Sequence, residues 1–245
     1  MGREGKLKKV SLPDQVYNVI RENIISEEWE PGSKIPAESE LAALFGVNRL
    51  TVRMALQKLS TLGLVETKAG EGTFVKKFSF HQYLSEVSDL IVRPEMLEDV
   101  CEFRKVFELE CIRLTIERAT DADIHLLEQA ILHYESVAKV FHNVDDEYVD
   151  RYVEEDLKFH YLICKTSKNT LYPLAYSAVR EPIFQYLRSL FIQRRDNHIA
   201  TGRSAVEGFI QSLETHKIIT GAIQRRDFDT CKKTYLQMID YKIPI

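Results

Sequence analysis

Hydrophobic residues recur at helical spacing in three short stretches near the N-terminus. The first stretch predicts a helix over residues 12–27, with an apolar stripe of Val16, Val19, Ile20 and Ile24. The segment "WEPGSKIP" then supplies two prolines and a glycine, which end that helix. A second short helix is expected over residues 37–45, with an inward face of Leu41, Leu44 and Phe45. Gly46 follows it, where glycine commonly ends a helix.

The third stretch predicts a helix that Asn48 caps and that runs to about residue 62. Its inward stripe consists of Val52, Ala55, Leu56 and Leu59. Two helices joined by a tight glycine-containing turn form a helix-turn-helix. After Gly63, "LVET" and "TFVKK" alternate apolar and polar residues around "KAGEG", which predicts a hairpin with a glycine-rich tip. The pattern therefore predicts a winged helix-turn-helix over residues 1–78.

Two arginines, Arg49 and Arg53, fall outside the inward stripe of the third helix, at its N-terminal end. In a helix-turn-helix this end of the second helix enters the major groove of DNA. An arginine there can donate two hydrogen bonds to guanine, and Thr51 with the helix N-terminus suits phosphate oxygens. The alternative is a solvated surface helix whose arginines pair with Glu38 or Glu40.

Residues 79–245 show helical periodicity nearly throughout and no convincing strand. Pro94 is expected to open a helix, and further breaks are expected at Asp121, "DDEYV", Asn169 and Gly202. The pattern predicts a mainly α protein whose second domain is a bundle of six to seven helices. The short junction near residues 76–80 predicts domains that touch.

Charge divides the chain at the same place. Residues 1–78 carry 12 Lys and Arg against 10 Asp and Glu, whereas residues 79–245 carry 21 against 27. This reversal indicates that the small first part of the chain faces a polyanion and that the larger second part is an acidic domain with another role. No apolar run is long enough to span a membrane, and "MGREGKLKKV" lacks the apolar core of a signal peptide, so we expect a cytoplasmic protein. The four scattered cysteines are expected to be buried free thiols.

One group of polar residues in the bundle has the chemistry of metal ligands. Asp156 and His160 lie one turn apart in an apolar stripe of "EEDLKFHYLIC", and His216 lies in the apolar stripe of "LETHKIITGAI". An aspartate and two histidines are good ligands for a divalent transition ion. A core histidine hydrogen-bonded to aspartate explains the same spacing, and the pattern alone leaves both open. The other histidines lack ligand spacing: His81, His125, His133, His142 and His198.

The N-terminal stretch "PGSKIPAESELAALFGVNRLTVRMALQKLSTLGLVETKAGEGTFV" resembles the DNA-binding domain of GntR-type bacterial transcriptional regulators. The resemblance implies that Arg49, Thr51 and Arg53 belong to the recognition helix and that Gly70 lies in the wing tip, which approaches the minor groove. Asn48 stands at a position that is usually Ser or Thr and should still cap the helix. Ser39 stands where some relatives carry a DNA-contacting arginine.

The segments "RKVFELECIRL", "DLKFHYLICKTSKNTL" and "THKIITGAIQRRDF" are similar to the FCD domain of the fatty-acid-regulator branch of that family. Many such domains bind zinc or nickel through one Asp and three His. The resemblance implies that Asp156, His160 and His216 fill three of these positions, while the fourth falls on Met238, a poor zinc ligand. Water, an effector oxygen or Asp240 are candidates for completing the shell.

Arg104 has Glu108 one turn later, and the spacing alone predicts an ion pair on a helix surface. The family resemblance instead makes Arg104 a candidate for binding the carboxylate of an effector, because a guanidinium fork matches that group.

The patterns and the family resemblance together imply a homodimeric, ligand-responsive repressor that binds palindromic operator DNA and senses a small carboxylate metabolite, with a divalent metal as a candidate cofactor. One alternative is a metal-free regulator that senses fatty acyl chains. Another is a metal-dependent helical-bundle enzyme, but di-iron bundles need paired Glu-x-x-His motifs and only one Asp-x-x-x-His is visible.

Overall fold

The structure, a computed structural model, describes residues 10–78, 96–139 and 144–240. The chain divides into two compact units, Met1–Tyr83 and Leu84–Ile245. The predicted domain boundary, residue 78, is the last residue of the first described range. Pro94, which is expected to open a helix, lies outside the described residues, as do His81 and His142.

The first unit is a winged helix-turn-helix, as the sequence predicts. Its elements are α1 (Leu12–Ile25), α2 (Glu38–Phe45), α3 (Arg49–Thr61), β1 (Val65–Lys68) and β2 (Gly72–Val75). The two strands pair antiparallel, with Val65 opposite Val75. Gly46 ends α2 with φ of +62°, a left-handed conformation that costs glycine little.

The inward stripe of α3 is buried as predicted and packs against Ile20 and Leu41. Two other apolar predictions are wrong, because Leu44 is 71% exposed and Val19 is 46% exposed. On α2 the buried arc runs from Leu41 to Ala42, and Leu44 lies about 160° around the helix from Ala42. A helix of eight residues buries only one narrow face, so not every apolar residue reaches the core.

The second unit is a bundle of six helices among its described residues. They are α4 (Leu97–Arg118), α5 (Asp121–Ala138), α6 (Asp146–Thr166), α7 (Leu171–Ala200), α8 (Glu207–Gln224) and α9 (Phe228–Ile239). Helix α6 packs against α4, α5 and α7, and 12 of its 21 residues are buried. It is therefore the central helix of the bundle.

Side-chain caps fix several helix starts in the bundle. The Thr120 hydroxyl accepts a hydrogen bond from the backbone N–H of Asp123, and Asp145 caps α6 in the same way. The predicted breaks at Asp121, "DDEYV", Asn169 and Gly202 coincide with these helix boundaries. All four cysteines are free, and Cys101 alone among them is only half-buried. No helix among the described residues is both long and apolar enough to cross a membrane.

Candidate functional site

Helix α3 presents a polar face at its N-terminal end. The Asn48 side chain accepts a hydrogen bond from the backbone N–H of Thr51 at 2.8 Å, so the predicted cap is confirmed. Arg49 and Arg53 are both exposed on the following turn. Their side chains therefore lie on the surface of the domain, outside its core.

Arg53 does make the surface pair that the alternative interpretation expects. Its Nε and Nη2 atoms donate to the Glu38 carboxylate at 3.0 and 2.7 Å, which lowers the pKa of Glu38. Glu40 instead accepts a hydrogen bond from the backbone N–H of Ala37. Because the Arg53 side chain is 56% exposed, its pair with Glu38 adds little stability and can be exchanged for a contact with DNA.

Thr51 is less accessible to DNA phosphates than its position at the start of α3 suggests. It is buried, and its hydroxyl contacts Asn48 Oδ1 at 3.0 Å. Leu50 and Met54, which the helical pattern did not single out, are also exposed beside the arginines. Apolar side chains in the major groove can contact the methyl group of thymine. Each directly follows one of the two arginines and lies outside the inward stripe of α3, which is the sequence signal that could have identified them.

The wing places Gly70 in the turn between β1 and β2, with φ of +78°. No heavy atom of the domain lies within 4 Å of where a Cβ would stand, so backbone conformation and not crowding favours glycine there. Its approach to the minor groove remains a prediction.

In the bundle, Asp156 and His160 of α6 meet His216 of α8. The two Nε2 atoms lie 3.1 Å apart, and Asp156 oxygens lie 3.2 Å from His216 Nε2 and 3.7 Å from His160 Nε2. All three side chains are buried, and they are the one group of this kind among the described residues.

The contacts of the two Nδ1 atoms indicate which ring nitrogen of each imidazole carries a proton. His216 Nδ1 lies 2.8 Å from the carbonyl oxygen of Ser212, which can only accept, so Nδ1 carries the proton. His160 Nδ1 lies 2.8 Å from a carboxylate oxygen of Glu108, which favours a proton there too. If both rings are neutral, their Nε2 lone pairs point at each other and at the Asp156 carboxylate. This arrangement needs a positive charge at its centre.

The donor set and its spacing fit a divalent transition ion. Ligand atoms held about 2.1 Å from one ion at tetrahedral or right angles lie roughly 3.0 to 3.4 Å apart. Two of the three distances here, 3.1 and 3.2 Å, fall in that range. Asp156 Oδ2 is buried and lacks a hydrogen-bond partner. A proton shared between the imidazoles is the other cation that would satisfy the cluster.

The fourth metal position has no protein ligand among the described residues. Met238 lies beside Asp156 in the wall of a small cavity of about 20 Å³, enough for about one water molecule. Asp240 pairs with Lys105, and its side chain is 57% exposed. The sequence-based suggestion that Asp240 completes the shell is therefore wrong in this conformation, because its carboxylate lies at the exposed end of α9.

Arg104 is buried, so the prediction of a surface pair with Glu108 is wrong. Its Nε and Nη2 atoms donate to Glu108 at 2.8 and 3.3 Å, and Nη2 lies 3.8 Å from Asp156 Oδ2. The Tyr235 hydroxyl donates to Glu108 at 2.7 Å. Burial raises the pKa of Glu108, but attraction to Arg104 and His160 outweighs it and lowers the pKa to about 2. Glu108 thus connects Arg104 to the cluster. The apolar residues Cys111 and Ile112 lie one helical turn after it, and this spacing is the sequence signal that could have indicated its burial.

Comparisons with known proteins agree with both halves of this description. Residues 12–75 match the family model for bacterial regulatory proteins of the gntR family, and residues 99–241 match the FCD domain. The transcriptional regulator LutR of Bacillus subtilis is 33% identical over 145 residues, which cover 59% of this chain and 63% of LutR. The transcriptional repressor NanR of Salmonella newport is 28% identical over 93% of this chain and 82% of NanR.

The solved structures include a similar fold. A GntR protein of Streptococcus agalactiae superposes with a TM-score of 0.64 at 22% identity, covering 93% of this chain and 97% of that one. The matched proteins are transcriptional regulators, so the enzyme alternative is set aside. The FCD match spans more than half of the chain and follows a gntR-type winged helix. The chain therefore belongs to the gntR family of bacterial regulatory proteins, in the branch that carries an FCD domain, and is a DNA-binding transcriptional regulator.

Proposed function

We propose that this regulator is a homodimeric repressor whose bundle senses a small carboxylate metabolite through a cluster that binds a divalent metal. One observation carries the proposal: a buried Asp–His–His group, whose ligand atoms all lie within 4.8 Å of one another, belongs to the bundle of a chain that also carries a DNA-binding domain. The name of NanR as a repressor supports this direction of control.

A dimer follows from the size of the DNA contact. One helix-turn-helix per chain offers few base contacts, and two-fold symmetry doubles them on a palindromic operator. Arg49 and Arg53 contact base edges, Asn48 caps the helix that carries them, and Gly70 lets the wing approach the minor groove. Leu50 and Met54 add apolar contacts on the same face.

Substitution of either arginine should weaken operator binding. Arg49→Ala or Arg53→Ala should cost about 1 to 3 kcal/mol and relax the preference at one base pair. Fluorescence anisotropy at fixed salt, with DNA from upstream of the protein's own gene and single-base variants of it, measures both effects.

Lys58→Ala is the matched control, because Lys58 lies near the other end of α3 and already pairs with Asp14. Its effect should be small and equal for all sequences. Unchanged affinity and base preference in both arginine variants would show that the recognition face is wrongly assigned.

Asp156, His160 and His216 would hold a zinc or nickel ion, with Glu108 and the Ser212 carbonyl orienting the two imidazoles. A bound ion would supply positive charge and an open coordination position for an effector oxygen. Arg104 is the candidate for the effector carboxylate. Because its guanidinium is already bound to Glu108, that role requires the pair to rearrange.

Effector binding should change operator affinity, and operator DNA should change effector affinity by the same factor. Coupling free energies of this kind are about 1 to 3 kcal/mol, or roughly 5- to 150-fold. Calorimetric titration of organic acids with and without operator DNA measures both directions. Equal effector affinities in the two titrations would exclude allosteric control even if binding occurs.

A further inference from the structure

The wing of the DNA-binding unit has a third edge that the hairpin pattern does not include. The extended segment 32–35, which precedes α2, runs along the side of β2 that β1 leaves open. Two backbone hydrogen bonds, of 2.8 and 2.9 Å, join this segment to β2 on either side of the pair formed by Lys34 and Phe74. This is the bonding pattern of antiparallel strands. Lys34 is therefore part of the wing, although two helices separate it from the hairpin in the sequence.

The two faces of this wing differ in character, because successive side chains of a strand point to opposite faces. The inner face is buried in the core of the unit and carries Ile35, Val65 and Val75. The register of the strands places a second set of side chains on the opposite face, which we call the outer face: Lys34, Glu66, Lys68 and Phe74. Both lysines are exposed. The outer face is therefore charged and open to another molecule.

Gly72 leaves a path for the Lys34 side chain across the outer face. A Cβ atom at residue 72 would lie 2.7 Å from Lys34 Cε and 3.4 Å from its Nζ. The first distance is well below the 3.5 to 4.0 Å at which carbon atoms normally pack. Gly72 also has φ of +116°, a conformation that disfavours any other residue. The ammonium of Lys34 therefore lies over the backbone of β2, close to the turn that contains Gly70.

Lys68 places a second ammonium over the same strand. Its Nζ lies 5.2 Å from the centre of the Phe74 ring and 3.2 Å from a carboxylate oxygen of Glu66. Because both members of that ion pair are about half exposed, the pair adds little stability and can be exchanged for another anion. Among the described residues, no carboxylate pairs with the Lys34 ammonium. Residues 72 and 74 lie roughly 7 Å apart along a strand, so the outer face presents two cations at neighbouring points of β2.

We infer that Lys34 and Lys68 bind phosphate groups of DNA and make the outer face of the wing a sequence-independent contact. The chain is a DNA-binding regulator, and phosphates border the minor groove, which the wing tip is expected to approach. A lysine binds phosphate as a point charge and needs no fixed geometry. Contacts of this kind fix the position of a protein on the duplex, while other residues contact base edges. The inference adds to the proposed base contacts of Arg49 and Arg53 and does not depend on them.

The salt dependence of DNA affinity in the full-length protein tests the inference. Lys34→Met and Lys68→Met each remove one charge and keep an unbranched side chain. Fluorescence anisotropy between about 50 and 200 mM salt, with a random-sequence duplex and with DNA from upstream of the protein's own gene, gives affinities and salt slopes. Each variant should weaken both duplexes by the same factor, about three- to tenfold at low salt. The slope of log affinity against log salt should fall in magnitude by about 0.9 for each protomer bound.

Two further variants separate the effect of these lysines from a general loss of charge. Lys34→Arg keeps the cation and should keep most of the affinity. Lys139→Met removes the same charge from an exposed position of α5, and its partner Glu135 still pairs with Lys217. The salt slope of Lys139→Met should therefore equal that of the wild type.

Two results would overturn the inference. One is wild-type affinity and salt slope in both Lys34→Met and Lys68→Met. The other is a loss confined to the upstream duplex, because a phosphate contact affects all sequences equally. A wrong assignment of the recognition helix would look different: Arg49→Ala and Arg53→Ala would keep their base preference, while the two lysine variants would still reduce the salt slope.

Discussion

Arg104→Met should be the most destabilising of the substitutions considered for this protein. It removes the cation that two buried carboxylates share, because Arg104 donates to Glu108 and its Nη2 lies 3.8 Å from Asp156. Removing one partner of a buried ion pair costs about 3 to 5 kcal/mol, since the other charge stays buried without compensation. Thermal unfolding followed by far-UV circular dichroism should show a melting temperature lower by about 10 °C.

The same helix offers a matched control. Arg113 also pairs with a glutamate one turn later, Glu117, but its side chain is 44% exposed. Arg113→Met should therefore change stability by less than about 1 kcal/mol. Equal effects of the two substitutions would mean that solvent reaches Arg104 and that the buried network around Glu108 is not formed.

Zinc or nickel should raise the melting temperature of protein that was first treated with chelator. An ion bound only by the folded state stabilises it by about 2.7 to 4.1 kcal/mol when present at 100 to 1,000 times its dissociation constant. His216→Gln should abolish the metal-dependent rise, because His216 supplies one of three ligands. Metal binding should also weaken in acid, since only neutral imidazole coordinates.

His133→Gln is the control for this measurement, because His133 is exposed and lies outside the cluster. It should leave the metal-dependent rise unchanged. Elemental analysis that finds no metal in protein purified without chelator, together with no thermal shift on adding either ion, would contradict metal binding. A proton shared by the two imidazoles would then be the cation at the centre of the cluster.

Local patterns were enough to predict the DNA-binding unit. Its core depends on residues three or four apart on short helices, and Gly46 and Asn48 end and begin those helices through bonds to their own neighbours. Errors arose where a residue's burial depended on which side of its helix another element covered. Leu44 and Val19 belong to apolar stripes but lie beyond the arcs that their neighbours cover.

Helical spacing and residue type are properties of the chain, so they were enough to predict the winged helix, the helical character of the bundle and the candidate ligands Asp156, His160 and His216. Only the packing of the helices shows that Arg104 and Glu108 are buried against that cluster, that Asp240 is not part of it, and that polar residues of α7, α8 and α9 line a cavity of about 270 Å³. Those facts depend on how α4, α6, α8 and α9 pack, and a helix's own periodicity does not specify which neighbour covers each of its faces.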